Sequence, residues 1–97
     1  MKEEKIIDKD NIIGKNIKRI RISKGFGQTE LVEQLQLKDI NITRESLVKI
    51  EGGRQHIKLA QLKGIKELLD VSYDEFLSWT YQINGFVNVL INQRKEE

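Results

Sequence analysis

Ten lysine and arginine residues fall between Ile12 and Lys58 against five acidic ones, a local charge of +5 in a chain whose total is only +2. The flanks do not share it. Residues 1–11 carry −1, residues 59–78 carry −2 and residues 79–97 are neutral. Cationic groups gathered in one stretch neutralise and hydrogen-bond a polyanion, so the pattern is the electrostatic footprint expected of a nucleic-acid partner. A helical surface rich in lysine and arginine would carry the same charge with no such partner. Catalytic chemistry finds few residues to carry it. His56 is the single histidine, there is no cysteine, and Arg54 and Lys58 flank it rather than acids at ligand spacing. The sequence holds no G-x-S-x-G, no phosphate-binding loop and no glycine-rich dinucleotide turn. Gly52-Gly53 reads as helix termination. The expectation is a non-enzymatic protein without metal or cofactor.

The elements that must position the basic residues are short helices. A chain of 97 residues that is 38% apolar and 33% charged fits one domain with one modest core. Ile13, Ile17 and Ile20 recur at helical spacing, with Lys15, Lys18 and Arg19 on other faces. Lys24-Gly25 closes that helix. Leu31, Val32 and Leu35 mark a second. A third starts at Thr43, whose hydroxyl is a good N-cap, turns Leu47 and Ile50 inward and ends at Gly52-Gly53. Leu59, Leu62, Ile65 and Leu69 mark a fourth. Ser72 to Glu75 has the pattern of a capping box opening a fifth, with Phe76 buried and Leu77 beside it. The fold expected is all-α, with residues 1–10 a flexible charged arm, 11–78 the helical domain and 79–97 a C-terminal extension. No apolar run is long enough to span a membrane and no secretory signal is evident, so a cytoplasmic protein is expected.

From Ile13 to Leu77 the chain resembles the Cro/lambda-repressor class of helix-turn-helix domains, often called the XRE family. The matches run in order: Ile13-Gly14, Ile17-Lys18 and Arg21, then Gln28 and Leu31, then Thr43 to Ile50 followed by Glu51-Gly52-Gly53-Arg54, and last Leu68 to Ser72 leading into Phe76-Leu77. Three departures accompany them. Gly27 stands where Ser or Thr is preferred as the second helix's cap, and Val32 replaces a usual alanine where the motif helices cross. Residues Gln36 to Ile40 are extra chain between the second and third helices, with Leu37, Ile40 and Ile42 available to anchor them.

The resemblance implies a five-helix lambda-repressor-like domain that binds double-stranded DNA. Its third helix would enter the major groove, which is wide enough for one helix and presents a distinct donor–acceptor code. Arg44, Glu45 and Lys49 align with the base-reading positions, Arg44 suiting a guanine and Glu45 a cytosine amino group. Gln28, Thr43, Gly53, Arg54 and Lys58 align with phosphate contacts, which position without reading sequence. Arg21 and Glu51 match a structural ion pair between the first and third helices. The implied function is transcriptional repression by a homodimer on a two-half-site operator. The alternative is an antitoxin that binds a toxin and represses its own operon; a degenerate domain that binds only protein is a third.

Residues 79–97 read either as a β-hairpin turning at Asn84-Gly85 or as a helix over roughly Phe86 to Arg94. In both forms Trp79, Tyr81, Phe86, Val89 and Leu90 need cover, and a second copy of the chain is the expected source. Truncation after Ser78 should then leave the helical domain folded but monomeric, with weaker operator binding. Sedimentation of the truncated and full-length chains is the check, and equal species would place the dimer interface elsewhere.

Overall fold

Four helix ends share one device, and it divides the chain into its elements. The structure is a computed structural model that describes Ile6, Asp8 and residues 10–78. Among these residues the protein is all-α, with no strand and five helices: α1 (Ile12–Ser23), α2 (Gln28–Leu37), α3 (Arg44–Glu51), α4 (Leu59–Leu69) and α5 (Tyr73–Leu77). None is long and apolar enough to cross a membrane. Gly25, Asp39, Gly53 and Asp70 each take a positive φ just past a helix. The residue that follows each one donates its N–H five residues back: Phe26 to Arg21, Ile40 to Leu35, Arg54 to Lys49 and Val71 to Lys66. These bonds satisfy carbonyls that a helix end would otherwise leave unpaired.

The core follows the apolar stripes. Ile13, Ile17 and Ile20 of α1, Leu31, Val32 and Leu35 of α2, and Leu47 and Ile50 of α3 are all buried. Leu62, Ile65 and Leu69 of α4, Phe76 of α5 and the loop residues Ile42 and Ile57 complete one cluster. Leu59 is only half-buried, and Leu77 is exposed rather than packed beside Phe76. Ser72 caps α5 without a side-chain bond. The Glu75 N–H instead reaches the Ser72 carbonyl, three residues back, in a tightened first turn that leaves the expected capping box unmade.

Of the extra residues between α2 and α3, Gln36 and Leu37 belong to α2 itself and Lys38 to Ile40 form the turn out of it. α2 continues through Leu37, and Asp39 at φ 61° turns the chain out of it. Leu37 points to solvent, 79% exposed, and anchors nothing. Ile40 packs against the core instead, over Gly64 of α4, where an added Cβ would collide with its Cδ1. Two glutamine amides hold the segment that follows: Gln36 donates to the Ile42 carbonyl at 2.9 Å and Gln61 to the Asn41 carbonyl at 3.0 Å. Gln61 also accepts the Lys58 N–H at 3.0 Å, capping α4.

At the other end of the domain, two residues of the expected arm are fastened down. The Ile6 N–H donates to the Ile57 carbonyl at 2.8 Å, and Ile6 packs on the core. The Asp8 carboxylate accepts from the N–H groups of Ile12 and Ile13 at 2.7 and 2.6 Å, at the positive end of the α1 dipole. Residues 79–97, with the expected hairpin or helix and the residues Trp79, Tyr81, Phe86, Val89 and Leu90, lie outside the described residues.

α1 approaches α3 closely at Gly14, where an added Cβ would meet the Ile50 carbonyl of α3 and the Asn11 side chain. Backbone cannot yield as a side chain can. Gly14→Ala should therefore cost about 1–3 kcal/mol by overpacking. At Gly27 an added Cβ meets nothing, and its φ of −78° and ψ of 164° suit a capping hydroxyl. Gly27→Ser should gain a few tenths of a kcal/mol. Urea denaturation of both variants reads the two signs.

Candidate nucleic-acid interface

α3 is an eight-residue helix with a buried side and an exposed first turn. Thr43 opens it, its hydroxyl accepting the Ser46 N–H at 3.0 Å. Leu47, Ile50 and Glu51 are buried, whereas Arg44 and Glu45 in the first turn are exposed. Lys49 lies one turn beyond Glu45 and meets it at 3.5 Å, with side-chain exposures of 43% and 81% respectively. A pair this exposed stabilises the helix little and leaves both groups able to exchange partners. The outer face of α3 thus presents an exposed guanidinium, an exposed carboxylate and the ammonium group of a half-buried lysine, none of them in the core cluster.

The inner end of α3 is held by a buried carboxylate. Arg21 of α1 forks onto Glu51, Nε donating to Oε2 at 2.7 Å and a terminal nitrogen to Oε1 at 3.0 Å. The other terminal nitrogen donates to the Phe26 carbonyl at 2.9 Å, fixing the turn between α1 and α2. Gln28, the first residue of α2, donates to Glu51 Oε1 at 3.0 Å. Asn11 donates to the Glu51 backbone carbonyl at 3.1 Å. One residue therefore receives bonds from α1, from the start of α2 and from the segment before α1. Arg21 and Glu51 expose 8% and 3% of their side chains, so both charges depend on each other and on these bonds.

No protein-family model and no curated protein matches this chain.

The remaining candidates separate into two groups. Gly53, at φ 79°, and the exposed Arg54 follow α3 directly, on the loop that leads to α4. Lys58 caps α4 with its backbone, its N–H taken by Gln61. Thr43 spends its hydroxyl on the cap, bonding both the Ser46 N–H and the Ser46 hydroxyl. Gln28 turns its amide nitrogen inward to Glu51, so its side chain positions α3 in this structure. His56 accepts the Asp8 N–H through Nδ1 at 3.3 Å. Among the described residues no three His, Cys, Asp or Glu side chains gather to hold a metal ion.

Asn16 is a supporting residue absent from the sequence reading. It is fully buried, and its Nδ2 donates to the Phe76 carbonyl at 2.8 Å and the Ser78 carbonyl at 3.2 Å, tying α1 to the end of α5. The signal for it exists in the sequence: position 16 falls on the same stripe as Ile13, Ile17 and Ile20, where an amide needs buried partners.

Removing the Glu51 carboxylate strands the Arg21 guanidinium against the core. Glu51→Ala should cost about 3–5 kcal/mol, the usual penalty for breaking a buried pair from one side. Glu45→Ala removes only an exposed pair and should stay within about 0.5 kcal/mol of the parent. Thermal melts of the two variants test the difference, and equal midpoints would contradict it.

Proposed function

We propose that the chain is a sequence-specific double-stranded DNA-binding protein of the helix-turn-helix kind, a transcriptional repressor acting as a homodimer. In this reading α2 and α3 form the motif and α3 is the recognition helix. The observation that carries it is the division of α3: Arg44 and Glu45 are exposed and Lys49 half-exposed, while Leu47, Ile50 and Glu51 are buried. A helix braced at its inner end and charged on its outer face suits the major groove, where Arg reads guanine O6 and N7 and a carboxylate accepts from cytosine N4.

Charge and loop geometry support the same orientation. Net positive charge concentrates in residues 12–58, the stretch that includes all of α1, α2 and α3. Gly53 and Arg54 emerge where α3 stops, and a left-handed glycine lets the backbone approach a phosphate closely. One recognition helix contacts few base pairs, so two copies on half-sites about one helical turn apart supply the affinity.

Base-reading and phosphate-binding roles separate by experiment. Arg44→Ala should weaken binding to the best operator by about 1–3 kcal/mol and relax preference at one base pair. Arg54→Ala should weaken all duplexes alike and reduce the salt slope by about one unit. Selection from a random duplex pool, followed by salt titrations, measures both. An unchanged sequence preference for the first and an unchanged slope for the second would remove the proposed reading face.

A further inference from the structure

Between α1, α4 and α5 lies a cavity of about 330 Å³, walled by Ile6, Ile13, Leu59, Leu62, Tyr73 and Leu77. Among the described residues that line it, Lys63 alone is charged. Such a wall offers a polar or anionic ligand almost no hydrogen-bond partner, so its occupant is apolar. Two of the lining side chains are left in solvent by α5, Leu77 at 56% exposure and Tyr73 at 39%, and they mark the exposed rim. Cation–π contact with Lys66, 5.3 Å from the Tyr73 ring centre, holds that ring in place at the rim.

The chain itself continues from this rim. Buried Asn16 holds the Phe76 and Ser78 carbonyls with a single amide nitrogen, which sets the point where the backbone leaves α5. The next residue is Trp79, the only tryptophan in the sequence. It lies two residues past Leu77, a backbone reach of at most about 7 Å.

We infer that this groove is the seat of Trp79 of the same chain, and that the buried indole anchors residues 79–97 to the helical domain. An indole presents a large apolar surface with one N–H, which at a groove open on one side can still reach water. A tether this short keeps the local concentration of the side chain at about the millimolar level or above, so the chain's own tryptophan outcompetes a second copy's. Phe86, Val89 and Leu90, farther along, are then the residues left for self-association. The inference is independent of the DNA-binding proposal, since no groove residue belongs to the outer face of α3.

Trp79 is its own reporter. In the full chain its emission should be blue-shifted, protected from iodide, and constant over a wide range of protein concentration. Leu77→Asp and, separately, Tyr73→Ser should shift the emission to the red and raise the quenching constant several-fold. Leu37→Asp, at a still more exposed position away from the groove, should change neither. Far-UV circular dichroism should show all three variants helical, because each replaced side chain is exposed. Solvent-like emission in the parent chain, or quenching unaltered by both groove variants, would overturn the inference. So would a red shift on dilution alone, which would give the groove to a second copy.

Discussion

The Glu51 carboxylate is the fixed point of this molecule. A carboxylate buried to this degree is tolerable only when its charge is matched and its lone pairs are filled, and here the partners come from separate parts of the chain. Arg21 brings α1, Gln28 brings the first turn of α2, and Asn11 holds the backbone of Glu51 itself. Each donor is useful only if its helix lies at one position relative to α3. The network therefore contributes less to net stability than to alignment: an apolar cluster would tolerate a sliding or rotated α3, whereas a forked ion pair does not.

The other end of α3 is governed differently. Thr43 supplies a local cap, but the chain that delivers it is set by Ile40 seated over Gly64 and by two glutamine amides on the carbonyls of Asn41 and Ile42. α3 is thus suspended between an ionic brace at its C-terminal end and a packed, hydrogen-bonded approach at its N-terminal end. On the proposed reading, that suspension lets eight residues present charged side chains in a defined direction while none of those side chains belongs to the buried core.

Much of this was legible in the sequence, for reasons that depend on the range of the interaction. The stripes Ile13-Ile17-Ile20, Leu47-Ile50 and Leu62-Ile65-Leu69 follow from helical periodicity, which is a local property, and so did the helix ends at Gly25 and Gly53. The residues that the sequence could not place are those whose fate is decided by a distant neighbour. Leu37 and Ile40 are similar in type, yet only Ile40 has a glycine on another helix opposite it. Gln28 can face solvent or Glu51, and nothing within its own helix selects between them. Asp39 and Asp70 close helices in a conformation usually left to glycine, a choice that short polar side chains permit but do not announce. The candidate site was legible as a set of exposed charges on one helix. The brace that orients it was readable only as a pair, without Gln28 and Asn11.

Gly64 gives the fold an unusual lever. It belongs to α4, apart from the outer face of α3, yet its missing side chain is the space Ile40 occupies. Any residue larger than glycine there must push Ile40 away, and the displaced segment is the one that leads into Thr43. Natural variation at this position would therefore act as steering: sequence drift in a supporting helix could retune the tilt of α3 while every outward-facing charge stayed the same. On the proposed reading, two descendants of such a protein could diverge in target preference while Arg44, Glu45 and Lys49 stayed identical. Comparing only those residues would miss the cause.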